Sequence, residues 1–406
     1  AWRSGTTFGG RTFIFVLMER ASLCAVYEII GGDVAAPVFK QVLPTGVGPE
    51  GVVAVPARAL LLVASEKDDR KEKYRASVAT YVFEATAPEY PTIESVDGAN
   101  SVPIPWSALS GLASGGGTLL YSVEDSFYQK SRIFTIDVAT YPALLTAALS
   151  IKDTDGVFAS FLADDARDAM INADGTVNID AEGIAVDGDH FIVASEGRGT
   201  YGSSSRPVES LNLLFVVEKA TGVIKQVITL PEAVNAIQKR YGFEGVTSCD
   251  DGNYYVAFQR AWGGETNPRL GKYEPGTASW TFLFSPLDAP ESQKGGWVGL
   301  SDITCVGAES FLVLERDNQS GPDAAIKRIY EIEATVGWTA EPFYTVTKTL
   351  KKDLIPDLLV PGGMVYEKVE GMALMDSADV YVVNDNDGVD GNSGETQLIN
   401  VGPIIP

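Results

Sequence analysis

The chain has 406 residues, 45% hydrophobic and 21% charged, which is enough apolar material for a sizeable core and excludes wholesale disorder. With 54 acids, 31 bases and one histidine its net charge is −23, which repels nucleic acid and anionic lipid. A phosphate ester would be repelled too, unless bound cations reverse the local field.

No apolar run reaches the ~18 residues that span a bilayer. Residues 12–17 are too short for a signal-peptide core, so any export signal is expected to have been removed already. Cys24, Cys249 and Cys305 form no CxxC pair and no disulfide framework. Free buried thiols are the default expectation; one bridge plus one free thiol is the alternative.

In chain order, the first elements are strands at residues 13–19, 23–29 and 38–43. A short signature then begins to recur: an acid, usually a glycine, an apolar residue and a small one. It reads Glu50-Gly51-Val52, Glu182-Gly183-Ile184, Glu244-Gly245-Val246 and Glu370-Gly371-Met372, with weaker copies at Ser110-Gly111-Leu112 and Ser301-Asp302-Ile303. Some ten residues after each comes an apolar strand ending in polar residues, such as Ile192-Val193-Ala194-Ser195-Glu196 or Leu312-Val313-Leu314-Glu315-Arg316-Asp317. Gly51 and Gly371 stand 320 residues apart, so the six copies recur about every 64 residues.

Hairpin turns at Asp187-Gly188, Thr221-Gly222 and Asp251-Gly252 split each copy into about four strands. Helical periodicity is confined to residues 231–241, where Ala233, Val234 and Ile237 share a face. Four-stranded units without βαβ alternation predict an all-β fold, a β-propeller with seven blades favoured over six. Strands left over at the two ends could complete a seventh blade between them. Residues 1–406 then form a single propeller; alternatively 1–90 are the tail of a preceding propeller and 91–406 a second one.

From residue 109 to 401 the strings resemble the esterase-like phytase family of bacterial propellers. They include Leu109-Ser110-Gly111-Leu112, Glu124-Asp125-Ser126-Phe127-Tyr128, Ala181-Glu182-Gly183-Ile184-Ala185, Gly242-Phe243-Glu244-Gly245-Val246, Leu314-Glu315-Arg316-Asp317-Asn318-Gln319 and Val383-Asn384-Asp385-Asn386-Asp387-Gly388. The first ~85 residues, with Gly10-Arg11-Thr12 and Gly48-Pro49-Glu50-Gly51, are similar to a module that often precedes this family in large secreted bacterial proteins. The resemblance implies phosphate- or carboxyl-ester hydrolysis, a secreted, periplasmic or cell-surface location, and a place within a larger protein. It carries no catalytic residue set.

The first strand of a blade is innermost, so Glu50, Glu182, Glu244 and Glu370, with Asp302 of the weaker copy, are expected around one axis. Crowded carboxylates favour either a bound cation or raised pKa values. Hard oxygen ligands point to Ca²⁺, less to Mg²⁺, and not to zinc. The plainer alternative is that each acid accepts backbone N–H groups and locks the ring.

The second strands end in another ring of polar groups that would face the same mouth. Arg198, Arg260 and Arg316 are expected to hold a phosphate, with Glu196 and Glu315 beside them; an inter-blade salt-bridge network is the alternative. Asp385 and Asp387, in an acidic stretch running to Glu395, are further cation candidates, although that stretch fails the EF-hand template. His190 is poorly placed as a base and no G-x-S-x-G elbow occurs, which argues against a Ser-His-Asp esterase. Two functions remain: metal-assisted hydrolysis of a small phosphate ester, or a non-catalytic propeller that binds a ligand or partner protein and uses cations for stability.

Overall fold

A computed structural model describes residues 3–68, 75–85, 90–98, 101–335, 337–341, 343–361, 364–389 and 396–405. It is an all-β propeller, as the repeat predicts, and its strands form seven sheets, five of which pack in a ring. No helix among the described residues is long and apolar enough to cross a membrane.

Five sheets are blades around an axis. Their inner strands are Leu109–Gly116, Ala181–Asp187, Phe243–Ser248, Val298–Gly307 and Val369–Leu374. Each packs against the next, and the fifth returns to the first. All five line an axial cavity of about 170 Å³. Every gap between neighbouring blades holds its own apolar core. Val123 meets Ile184 and Phe215 in the first gap, Leu214 meets Phe243 and Trp262 in the second, and Tyr255 meets Leu300 and Phe311 in the third. Leu312 meets Val369 and Met372 in the fourth, and Ala373 meets Leu112 and Phe134 in the gap that closes the circle. At roughly 2 kcal/mol per buried large side chain, these wedges are the main force that holds the ring shut.

The remaining two sheets precede the ring and pack on each other. One is Arg3–Phe8, Arg11–Met18, Leu23–Ile29 and Val38–Pro44; the other is Pro49–Val55, Leu60–Ser65 and Ser77–Val82. Phe8, Phe13, Phe15, Leu61 and Val63 form the core between them. Arg75 reaches Asp323 of the fourth blade at 3.7 Å. Among the described residues the two ends of the chain do not share a sheet: Leu398–Pro403 is the outer strand of the fifth blade, and Ile93–Ser95 pairs in parallel with Ala143–Ser150 of the first.

The helical stretch is shorter than its periodicity predicts. Within residues 231–241 only Glu232–Asn235 is helical, with Val234 buried and Ile237 packed on the same core.

Cys249 and Cys305 are bonded, and Cys24 alone is free and buried. This corrects the default expectation of free thiols. Cys249 directly follows the third blade's inner strand and Cys305 lies in the fourth's, so ring closure brings together two residues 56 apart in sequence. Breaking that bridge should cost up to about 4 kcal/mol by the chain-entropy argument. Thermal unfolding with and without reductant tests this: a lower Tm is expected on reduction and in the Cys249→Ser, Cys305→Ser double variant. An unchanged Tm after verified reduction would contradict a load on this bridge.

Candidate functional site

Each inner strand is bulged at its signature. Glu182 is the extra residue between the pairs Ala181↔Ser195 and Gly183↔Ala194, and Glu370 is the extra residue between Val369↔Asn384 and Gly371↔Val383. Ser301 occupies the same place in the fourth blade, and Ser110 and Glu244 lie in the bulges of the first and third. A bulge re-aims one side chain out of the pleat. The glycine that follows admits the next blade's backbone: a Cβ on Gly183 would stand 2.3 Å from the Glu244 carbonyl oxygen, and one on Gly371 would stand 2.4 Å from that of Ser110.

The bulge positions around the axis are therefore Ser110, Glu182, Glu244, Ser301 and Glu370. Ser110 Oγ donates to Glu182 Oε2 at 2.8 Å. Gln259 Nε2 donates to Glu244 Oε1. Arg316 donates through Nε to Ser301 Oγ at 3.0 Å and through Nη2 to Glu370 Oε1.

Above them opens a cavity of about 560 Å³. Glu182, Glu244, Glu370 and Arg316 reach it from below, while Arg198, Arg206, Arg240 and Lys368 also line it. Tyr241 and Trp297 alternate with guanidinium groups along one side. Arg240 lies 4.3 Å from the Tyr241 ring centre, Arg260 4.8 Å from Tyr241 and 4.9 Å from Trp297, and Arg316 5.5 Å from Trp297. Stacking on aromatic faces holds these cations in place without neutralising them.

Burial pushes the Glu182 and Glu244 carboxyls well above the usual carboxylate range, and the neighbouring acids push them further. Desolvation, and then the hydrogen bond to Asp180, raises half-buried Asp125 to about 7. Lys368 bonds Asp385 Oδ2 at 2.8 Å and also Asp387, and these acids hold its ammonium charged against the burial that opposes it.

A profile of the family described as phytase-like, esterase-like activity of phytase, matches residues 104–388, more than half the chain. The chain belongs to the phytase-like family. No curated protein matches it. Among solved structures it is similar to the major allergen Mala s 1 of Malassezia sympodialis, at 12% identity and TM-score 0.38 over 87% of this chain and 92% of that one. It is similar to a gluconolactonase of Xanthomonas campestris at 9% identity and TM-score 0.37 over 90% and 88%. The hydrazine synthase of Kuenenia stuttgartiensis gives 13%, 0.35, 96% and 92%.

The ring of this phytase-like chain gathers some of the expected residues and not others. Glu182, Glu244 and Glu370 converge below the cavity. Glu50 does not, although it too is a bulge residue: it lies exposed with Glu19 and Glu66 in the N-terminal sheets. Asp302 is not at the acid position but one residue on, in the place of the glycine. Its carboxylate accepts the N–H of Ile303 at 2.8 Å and of Met372 at 2.7 Å, so it staples the fourth blade to the fifth and is spent as a ligand.

Glu315 also turns away, because neighbours on a strand face opposite sides and Arg316 takes the inward one. Lys348 Nζ and the Asp288 N–H hold Glu315 instead. Glu196 lines the cavity, but its carboxylate accepts the Gly242 N–H at 2.6 Å. Arg260 stacks on Tyr241 and Trp297 and does not line the cavity. Arg198 is at the rim, 3.6 Å from Asp180. Asp385 and Asp387 are held by Lys368, and the acidic stretch beyond residue 389 to Glu395 lies outside the described residues.

Sequence reasoning missed Asp180, Arg206, Arg240 and Lys368, which lie outside the repeat. Among the described residues, Asp125, Asp180 and Glu182 each bring a carboxylate oxygen within 4.8 Å of the other two, and so do Asp125, Asp385 and Asp387. The trio Glu182, Glu244 and Glu370 does not come that close.

Asp302→Ala strands two buried N–H groups and should destabilise the ring by about 3 kcal/mol. Glu50→Gln, on an exposed site, should stay within about 0.5 kcal/mol. Urea unfolding compares them, and equal stabilities would refute the staple.

Proposed function

We propose that the mouth of the ring hydrolyses a small phosphoric ester. The observation that carries this reading is the convergence of Arg198, Arg206, Arg240 and Lys368 with the carboxylates of Glu182, Glu244 and Glu370 in one cavity of a chain whose net charge is −23. Cations of the rim would hold the phosphoryl oxygens. Glu244, whose raised pKa keeps it protonated beyond the usual carboxylate range, would act as general acid. Water adds to phosphorus as the ester P–O bond breaks, Glu244 protonates the leaving oxygen, and the proton released by the water restores it. Alcohol and inorganic phosphate leave.

Asp125, Asp180 and Glu182 offer only hard oxygens, which fit Ca²⁺ better than the strict octahedron of Mg²⁺. A cation held by these three residues would supply positive charge for the phosphate and acidify a bound water. The Asp385–Asp387 side already holds the Lys368 ammonium.

Two structural features bear on setting. The Cys249–Cys305 bridge supports an oxidising compartment: secreted, periplasmic or cell-surface. We read the first two sheets as a unit apart from the ring, within a larger exported protein, because their apolar core is their own.

A second reading is ligand binding without turnover. The engagement of Glu196 and Glu315 by backbone N–H groups and Lys348 favours it, since both are already occupied structurally.

Phosphate release from phytate or an aryl phosphate, with and without chelator, separates the two. Hydrolysis predicts Ca²⁺-dependent release; release from no ester leaves binding alone. Glu244→Gln should lower kcat about 100-fold. Because the acid works only when protonated, activity should fall as pH rises through the elevated Glu244 pKa, and the variant should lack that limb. Asp125→Asn with Asp180→Asn should abolish the Ca²⁺-induced rise in Tm, while Glu50→Gln keeps it. A rise that survives the double variant would contradict this cation site.

A further inference from the structure

The floor of the cavity is chemically unlike its rim. Arg316 and Glu370 form a half-made pair: Nη2 meets Oε1, while Arg316 Nη1 and Glu370 Oε2 are buried and unpartnered among the described residues. Gln259 Oε1 is in the same state beside Glu244. The three residues are 2%, 3% and 7% exposed, and all line the cavity. Each unmet group costs about 1–3 kcal/mol. A ligand that supplied one acceptor and two donors would remove that cost.

Ligand chemistry is restricted by this set. A fully ionised phosphate offers only acceptors to this floor and would meet Glu182, Glu244 and Glu370. An ammonium offers only donors and leaves Arg316 Nη1 unmet. A hydroxyl does both, since its oxygen can accept from Arg316 Nη1 while its O–H donates to Glu370 Oε2. A second, adjacent hydroxyl can donate to Gln259 Oε1.

We propose that the floor of the ring cavity binds two adjacent free hydroxyls of a polyol or carbohydrate, below the cations that hold its phosphate. This rests on the rim being the phosphate site. It implies a preference for a partly esterified polyol over one esterified at every position.

Isothermal titration of the intact protein in Ca²⁺ with glycerol 1-phosphate and with propyl phosphate tests the idea, with phosphate release followed in parallel. Glycerol 1-phosphate should bind about 10-fold tighter or more, because a site with buried polar groups rejects the analogue that leaves them unpaired. Gln259→Leu should shrink that ratio to about 3-fold. Equal affinities in the unmodified protein, or tighter propyl phosphate, would overturn the hydroxyl subsite even if esters are hydrolysed. A hydroxyl preference without phosphate release would instead uphold the subsite and remove the hydrolytic reading alone.

Discussion

One constraint governs the molecule: the inner strands must approach each other more closely than side chains allow. The bulge and its glycine meet that need together. Glycine lets the neighbouring backbone in, and the bulge turns the preceding residue toward the axis. A feature required for packing thereby delivers a side chain to the ring mouth from every blade. Chemistry at this site is a by-product of closure, which is why acids and serines can both occupy the bulges without altering the fold.

The exception shows the rule. In the fourth blade the glycine is replaced by Asp302, whose carboxylate sits against Gly245 and binds the Met372 N–H across the gap. The close approach is kept, but through a side chain that bonds backbone. Burying such a carboxylate is costly unless it is fully hydrogen-bonded, and here it is given N–H donors. Burial raises the proton affinity of Asp302, Glu182 and Glu244 alike; at Asp302 the backbone N–H donors oppose that rise, while at Glu182 the neighbouring acids add to it. The two outcomes, staple and acid, are separated by one residue along the strand.

Much of this was legible in the sequence. The signature marked every bulged inner strand, and the apolar strands that follow were placed correctly. Ring membership was not legible: Glu50-Gly51-Val52 has the same local pattern and the same bulge, and only its packing partners differ. The direction of Glu315 could have been read, since a run of Glu315, Arg316 and Asp317 on a strand cannot face one way. Asp180, Arg240 and Lys368 carry no such signal, because they lie in the connections between repeating strands. The Cys249–Cys305 pair likewise depends on closure and not on spacing.

The most direct test compares two glycine-to-alanine variants by equilibrium unfolding. Gly183→Ala puts a methyl 2.3 Å from the Glu244 carbonyl oxygen, whereas at Gly51 the nearest atom is the Ala64 Cβ at 3.4 Å. Overpacking against backbone should destabilise the Gly183 variant by about 3 kcal/mol or more, and the Gly51 variant should lose less than about 1 kcal/mol. Equal losses would mean that the two signatures play the same part, and that closure does not depend on these approaches.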